Sequence, residues 1–226
     1  LKTGSYQVVL LVHYFGAAQV EVLNFVRRCK EFGVQVIEDC AHTLTGGLEA
    51  PLLGTFGDYS IFSVHKSTAS KGGGFFLDFV GDLSNQPLPK EMKIDRSSLE
   101  CLANTDVIEI SKTRVQNYHE VAKVVSKFQA IEFFWPNGIK NAVPLNLPVI
   151  LPEGSRAELY QALILRGISP TVLYHTLVHE IDANDFPEAT SLSENILNFP
   201  THQDIPKTLL PWYLTNLGEA LHETYS

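Results

Sequence analysis

An α/β layer over residues 1–95, followed by a smaller α+β domain over residues 96–226, is the fold class that the sequence predicts. Short apolar runs alternate with an amphipathic segment in the first part, which is the order expected of a mainly parallel sheet with a crossover helix. A polar connection that carries prolines, from Asp82 to Pro89, ends this layer. The second part opens with a linker helix and continues with helical and extended patterns, so we expect it to fold as a separate domain.

Composition restricts the classes of protein to which the chain can belong. Of its 226 residues, 45% are hydrophobic and 19% are charged, a balance typical of globular proteins. The net charge of -8, with no basic block, argues against nucleic acid as a partner. No apolar run reaches the ~18 residues that a membrane helix needs, so we expect no membrane partner either.

The cysteine pattern and the start of the chain carry two further expectations. Cys29, Cys40 and Cys101 show no CxxC spacing, which predicts neither a disulfide framework nor a metal site and favours a reducing compartment, the cytoplasm. The chain begins at Leu1 and its only methionine is Met92. We therefore expect a piece of a longer protein.

The first layer reads as a βαβ unit. Val8–Val12 is a continuous apolar run, which predicts a strand buried on both faces. Val20–Phe32 has the periodicity of an amphipathic helix, and Gly33 stands where a glycine commonly ends one. Val34–Ile37 is the next strand. Strand, helix and strand at this spacing predict parallel pairing with a right-handed crossover.

The remaining elements are predicted from shorter signals. Strands are expected at Tyr59–Val64 and Phe75–Val80, with a turn of small residues between them. Helices are expected at Thr113–Phe128, from the capping box Ser155–Glu158 to Gly167, from Ser191 onward, and at Leu209–Thr224. Val143–Leu151 is extended but interrupted by prolines, which predicts an edge strand.

Polar residues follow the second and third strands, where a parallel sheet binds its ligands. Asp39 and His42 follow one strand, and Ser63 and Lys66 close the next. Each alone has an ordinary reading, since an acid often caps a helix, a lysine is often a solvated charge and a histidine is often structural. At the same edge of one sheet they are more suggestive together.

An acid and a lysine on neighbouring strand ends suit pyridoxal phosphate. The lysine amine forms a Schiff base with the cofactor's aldehyde, and an aspartate keeps the pyridine nitrogen protonated. Ser63 and the N–H groups of Gly72–Gly74 are candidates for binding the phosphate, although these glycines also suit a simple turn.

An ordered set of motifs resembles the DegT/DnrJ/StrS family of pyridoxal-phosphate-dependent sugar aminotransferases. The motifs are His13–Gly16, Val36–His42, Gly54–Asp58, Phe62–Lys66 with Gly73–Gly74, Leu165–Ile168 and Leu192–His202. The resemblance implies the aspartate-aminotransferase-like (type I) fold, with residues 1–95 as a partial cofactor-binding large domain and residues 96–226 as the small domain. It also implies a homodimer.

The resemblance assigns roles to four residues. Asp39 would hold the pyridine nitrogen, and His42 stands beside the cofactor's phenolic oxygen. Ser63 would bind the phosphate. Lys66 would be the Schiff-base lysine and later the proton shuttle, a role that suits an amine whose pKa is lowered by desolvation. The implied reaction transfers an amino group, with glutamate as the expected donor, to a nucleotide-linked keto sugar, for cell-envelope polysaccharide or secondary-metabolite sugars.

Three departures from the family leave alternatives open. Family members extend further at the N-terminus, where they hold a phosphate-binding helix start and an aromatic residue stacked on the pyridine, and their Asn-Tyr-Arg segment has no clear counterpart here. Many members place the lysine nearer the position of Lys71, and some replace it with histidine and act as dehydratases, which draws attention to His65. The alternatives are therefore a sugar dehydratase, a truncated non-catalytic homologue, or a cofactor-free domain in which Asp39 and Lys66 form an ion pair.

Overall fold

The computed structural model describes residues 6–18, 21–43, 46–49, 52–83 and 86–225. The chain divides into two compact units. The first comprises Leu1–Val115 and Ile139–Leu145, and the second comprises Gln116–Gly138 and Asn146–Ser226. The division into domains at residues 95 and 96 stays a prediction.

Helices and strands of the described residues follow one another along both units. In chain order they are β1 (Val8–Val12), α1 (Val22–Glu31), β2 (Gln35–Cys40), β3 (Tyr59–Ser63), β4 (Gly74–Asp78), α2 (Arg96–Ala103), α3 (Val107–Val125), β5 (Glu132–Phe133), β6 (Asn146–Ile150), α4 (Arg156–Leu165), α5 (Pro187–Asn195), β7 (Ile196–Pro200) and α6 (Leu210–Tyr225). None of these helices has the length and apolar character needed to cross a membrane.

The sheet of the first unit has the order β1-β2-β3-β4. The first three strands are parallel and β4 is antiparallel to β3, so the predicted mainly parallel sheet is confirmed. Alternate residues of the strands point to one face and form a core with α1. The buried members of this core are Leu11, Val22, Val26, Cys29, Val34, Val36, Cys40, Leu53 and Phe62.

The prediction that β1 is buried on both faces is wrong. β1 is an edge strand of the described sheet, and Val8 and Leu10 are 46% and 55% exposed. Their face continues across the sheet to Ile61 and Phe76, which are paired with each other and are also exposed. Among the described residues, α1 covers only the opposite face, which explains why an unbroken apolar run is half in solvent.

Helix α1 begins later than predicted, and its end is where the sequence places it. Val20 lies outside the described residues, and the helix starts at Val22 with the Glu21 side chain accepting a hydrogen bond from the Asn24 N–H at 3.1 Å. Gly33 follows the helix with a φ of 67°, a conformation that glycine adopts without steric cost.

The second unit contains an antiparallel sheet with the order β5-β6-β7. The proline-bearing strand β6 is central, so its prediction as an edge strand is wrong. The carbonyl of Pro148 accepts a hydrogen bond from the Phe134 N–H, and the nitrogen of a strand residue faces the same side as its carbonyl. The nitrogen of Pro148 therefore faces the side of β5, beyond the two residues of that short strand, so the missing donor lies at the end of the β5–β6 ladder and not within it.

Helices α4 and α6 pack against each other in the second unit. Leu159 and Leu163 of α4 and Leu217 and Leu221 of α6 are fully buried. The capping box predicted at the start of α4 does not form, because the Ser155 hydroxyl donates to the Pro152 carbonyl at 2.8 Å instead of capping the helix.

Candidate active site

Asp39 and Ser63 lie on one face of the first sheet, where their strands end. Asp39 is opposite Ile61 in the parallel register, and Ser63 is the last residue of β3, two positions further along. Both residues are half-buried. A carboxylate oxygen of Asp39 accepts a hydrogen bond from the Ala41 N–H at 2.9 Å, which fixes the side chain at the carboxyl edge.

His42 is the most buried of the four predicted site residues, at 8% exposure. The pKa of its imidazole is lowered to about 4, first by burial and then by the positive charge of Lys66, while the negative charge of Asp39 acts in the opposite direction. The ring is therefore neutral at pH 7. Because its Nδ1 accepts a hydrogen bond from the Phe15 N–H at 3.0 Å, its proton is on Nε2, and His42 can donate from that atom.

The turn that meets His42 is held in an unusual conformation. Phe15 is buried and has a φ of 58°, a left-handed conformation that costs a non-glycine residue about 1–2 kcal/mol. Its carbonyl accepts a hydrogen bond from the Leu145 N–H at 2.8 Å. Gly16 follows with a φ of 92°, and a Cβ at that position would come within 2.3 Å of the Val143 carbonyl oxygen. Close backbone packing thus keeps the Phe15 N–H aimed at His42.

Lys66 lies in the turn between β3 and β4. The Val64 carbonyl accepts hydrogen bonds from the N–H groups of Ser67 and Thr68, both at 3.1 Å, and so closes the turn around the lysine. Lys66 is half-buried, whereas Lys71 is exposed. Because β2 and β3 are parallel neighbours, Asp39 and His42 at the end of β2 and Lys66 just after the end of β3 lie at the same edge of the sheet.

Ser63 is joined to a neighbour in the same turn. Its hydroxyl lies 3.2 Å from Nδ1 of His65, and the His65 ring is exposed. The hydroxyl and the imidazole thus lie side by side at the edge that Asp39 and Lys66 share. The Ser63 hydroxyl and the His65 imidazole together give this edge polar groups suited to an anionic ligand.

A buried carboxylate that the sequence reasoning missed lies directly behind this edge. Both oxygens of Glu38 are fully buried, and each meets two donors. One oxygen accepts from the Gly54 N–H and lies 2.9 Å from His13 Nε2, and the other accepts from the N–H groups of Phe56 and Gly57 at 2.7 Å. Burial alone would raise the pKa of Glu38, but these hydrogen bonds outweigh it and lower the pKa below its usual value.

The Glu38 network has a thiol beside it. His13, Glu38 and Cys40 each have one atom of a kind that can bind a metal ion, and these three atoms lie within 4.8 Å of one another. Burial raises the pKa of the Cys40 thiol, and the negative charges of Glu38 and Asp39 raise it further. The thiol therefore stays protonated at neutral pH, and the carboxylate is satisfied by the four hydrogen-bond donors.

Two signals in the sequence point to these missed residues. Glu38 alternates with Asp39 along β2, so one of two consecutive acids must point into the core, where a carboxylate needs donors. The glycine-rich segment Gly54–Gly57 supplies such donors from its backbone. Arg114 of α3, a buried residue that donates a hydrogen bond to the Lys66 carbonyl, carried no signal of this kind, because a basic residue in a helix is ordinarily solvated.

Comparison with protein families identifies part of the chain. Residues 2–78 match the model of the DegT/DnrJ/EryC1/StrS aminotransferase family. Over 73 residues, which are 31% of this chain, the sequence is 36% identical to a GDP-perosamine synthase of Vibrio cholerae. This stretch is only 20% of the length of that synthase.

Comparison with solved structures covers nearly the whole chain. The fold matches a DegT DnrJ EryC1 StrS aminotransferase from Brucella abortus with a TM-score of 0.73 at 15% identity, over 96% of this chain and 64% of that one. A putative sugar aminotransferase from Streptococcus pneumoniae, in its PLP form, gives 0.74 at 15% identity, over 99% and 70%. GDP-4-keto-6-deoxy-D-mannose-3-dehydratase of E. coli, with bound hydrated PLP, gives 0.71 at 15% identity, over 95% and 68%.

The two kinds of comparison support different statements. At 15% identity the solved structures show the fold, which is that of pyridoxal-phosphate-dependent sugar aminotransferases. The family model covers the segment that contains Asp39, His42, Ser63 and Lys66. Residues 2–78 are therefore similar to the DegT/DnrJ/EryC1/StrS aminotransferase family, and for the rest of the chain the comparisons show the fold alone.

Proposed function

We propose that the protein to which this chain belongs is a pyridoxal-phosphate-dependent aminotransferase that acts on a nucleotide-linked keto sugar. The observation that carries the proposal is the grouping of Asp39, a neutral His42 and Lys66 at one sheet edge, inside the segment that matches the family. The matching GDP-perosamine synthase is consistent with a sugar substrate that carries a nucleoside diphosphate. The amino donor would be an amino acid, with glutamate as the first to test.

The donor set of this edge fits pyridoxal phosphate. Asp39 offers a carboxylate for the protonated pyridine nitrogen, and His42 offers an Nε2 hydrogen-bond donor for the phenolic oxygen. The hydroxyl of Ser63 suits the phosphate, and Lys66 supplies the amine that would hold the cofactor. Two solved structures of the same fold, the Streptococcus pneumoniae protein in its PLP form and the E. coli dehydratase with bound hydrated PLP, contain this cofactor.

Asp39, Lys66 and His42 would then each have one task in the reaction. When bound, pyridoxal phosphate supplies an electron sink for the carbanion formed at the amino-bearing carbon. Asp39 keeps the negative charge that favours a protonated ring nitrogen. Lys66 takes the proton from the donor's α-carbon and returns one to the sugar carbon that receives the amino group. His42 stays neutral at pH 7 and orients the ring through its Nε2 proton.

A dehydratase is the second candidate, because one matching fold belongs to a sugar 3-dehydratase. Its sequence signal is His65, the residue before Lys66. In the structure, His65 is exposed and lies against Ser63, whereas the charge of Lys66 acts on His42. This arrangement favours Lys66 as the proton-transferring group and transamination as the reaction.

The proposal is tested by locating the lysine that holds the cofactor. The purified full-length protein is incubated with pyridoxal phosphate, reduced with borohydride, and mapped by mass spectrometry. We expect the modified residue to be Lys66, and we expect Lys66→Ala to abolish both the adduct and amino transfer. The matched control is Lys71→Ala in the same turn, which should retain both.

Three outcomes separate the alternatives. An adduct on Lys71 would move the site within the turn and contradict the role of Lys66. A colourless protein that forms no adduct would favour a non-catalytic homologue or a cofactor-free domain. Loss of the sugar's 3-hydroxyl without amino transfer would favour the dehydratase. We further propose a cytoplasmic homodimer, which light scattering and cell fractionation test directly.

A further inference from the structure

A fully buried arginine lies next to the turn that carries Lys66. Arg114 belongs to α3, within the first compact unit, and is 1% exposed. Burying a guanidinium is costly unless its N–H groups find acceptors. In this structure it donates through Nη1 to the Leu145 carbonyl and through Nη2 to the Lys66 carbonyl, both at 3.2 Å.

The bond to Lys66 differs in kind from the other bonds of that turn. The Val64 carbonyl collects the N–H groups of Ser67 and Thr68 and the Thr68 hydroxyl, all from within four residues. These bonds shape the turn but do not tie it to the rest of the unit. Arg114 ties it to a helix that lies 48 residues further along the chain. The guanidinium therefore holds the Lys66 carbonyl in place relative to α3.

The second carbonyl that Arg114 holds leads back to His42. Leu145 accepts from Arg114 and donates its N–H to the Phe15 carbonyl at 2.8 Å. Phe15 in turn donates its N–H to Nδ1 of His42. A single planar fork thus spans the backbone that carries Lys66 and the backbone that supports the histidine.

We propose that Arg114 is a positioning residue for Lys66: its buried guanidinium holds the lysine carbonyl and the Leu145 carbonyl at a fixed separation, and so sets the position of the lysine amine beside His42. The proposal rests on the proposed function for its catalytic meaning. The placement of the amine itself can be measured without cofactor.

The test compares Arg114→Met and Arg114→Lys with Lys112→Met, an exposed position on the same helix. Reductive methylation with formaldehyde and cyanoborohydride, mapped by mass spectrometry, gives the rate at Lys66 with Lys71 as the internal reference. The rate is measured from pH 6 to pH 10 on protein shown to be folded by circular dichroism. In Arg114→Met we expect the Lys66 rate to rise by about tenfold as the turn releases the half-buried amine, with Lys71 unchanged.

A purely structural role would not produce this result. General destabilisation would change the methylation rates of both lysines together, whereas a positioning role changes the rate of Lys66 alone. Arg114→Lys keeps a positive charge but presents one nitrogen in place of a fork, so it should show the same selective change to a smaller extent. If Arg114→Met does not fold, this variant decides the matter.

Failure of this proposal differs visibly from failure of the proposed function. Folded Arg114 variants with wild-type Lys66 rates and profiles would overturn the positioning role, even if the protein binds pyridoxal phosphate. A wild-type protein that forms no borohydride adduct would overturn the proposed function, while the methylation rates would still decide the role of Arg114. If both hold, Arg114→Met should also weaken pyridoxal phosphate binding by about tenfold, and Lys112→Met should leave it unchanged.

Discussion

Replacing Glu38 by glutamine removes the charge of the buried carboxylate while keeping its shape. The two oxygens of Glu38 meet four donors, two at each oxygen. A glutamine amide offers one oxygen and one NH2 group, so it satisfies at best the pair from Phe56 and Gly57. His13 can still pair with the NH2 group if its own proton moves to Nδ1. The Gly54 N–H then loses its acceptor.

The size of the effect follows from this count. Hydrogen bonds to a charged group contribute about 1.5–3 kcal/mol each, and the amide costs less to bury than the carboxylate, which offsets part of the loss. We therefore expect Glu38→Gln to lower the free energy of unfolding by about 2–3 kcal/mol. Urea unfolding at pH 7, followed by circular dichroism, measures this directly. Hydrogen exchange should also accelerate at the amides of residues 54–57.

The matched control is Glu31→Gln in α1. Glu31 is exposed and lies 3.6 Å from Arg28 in a surface ion pair, so its replacement should cost less than about 0.5 kcal/mol. An effect of Glu38→Gln no larger than that of the control would refute the reasoning, because it would mean that the buried carboxylate contributes no more than a solvated one.

The pH dependence of stability, compared between wild type and Glu38→Gln, gives a second test of the buried Glu38 carboxylate. Because the folded state lowers the pKa of Glu38, its stabilisation is present above the ordinary carboxyl pKa of about 4.3 and is lost as pH falls through the lower folded value. The difference in unfolding free energy between wild type and Glu38→Gln should therefore be constant near pH 7 and shrink below pH 4. A difference that stayed constant at low pH would contradict the assignment.

Two further predictions concern the turn and the histidine behind the site. The His42 ring should show no protonation by NMR until the pH approaches 4. Since the unfolded chain takes up that proton near pH 6.5, the fold should lose stability as the pH falls from about 6.5 to about 4. A titration midpoint near 6.5 would contradict the burial argument. Gly16→Ala should cost about 1–3 kcal/mol or more by urea unfolding, because its Cβ meets the Val143 carbonyl at 2.3 Å. Gly72→Ala has open space around it and should stay within about 0.5 kcal/mol, and equal costs at the two glycines would show that the close approach is relieved cheaply.

The parts of the fold that the sequence predicted depend on local signals. The apolar run Val8–Val12 and the amphipathic pattern of α1 specify a βαβ unit within 40 residues, and the parallel register then brings Asp39 and Ser63 to one edge. The same reasoning fails where burial depends on distant contacts. Val8 and Leu10 read as buried on both faces, but periodicity says nothing about what covers a strand.

The misreadings in the second unit have a similar physical origin. Pro148 suggests an edge strand because proline lacks a donor, yet β5 is so short that the missing donor lies beyond the end of the β5–β6 ladder. Ser155 and Glu158 have the spacing of a capping box, but the Ser155 hydroxyl donates a hydrogen bond to the Pro152 carbonyl instead of capping the helix. The roles of Glu38 and Arg114 depend on donors and acceptors up to 48 residues away, which single-sequence patterns do not register.

The antiparallel direction of β4 has a consequence for how the lysine can vary. Gly74 pairs with Ser63, and the Val64 N–H donates to the Gly73 carbonyl at 3.0 Å, so the intervening loop leaves and rejoins the sheet at one point. A loop pinned at both ends can gain or lose a residue without disturbing either strand. The number of residues between the serine and the lysine can therefore vary. Sequences that place the lysine a few positions later can form the same hairpin.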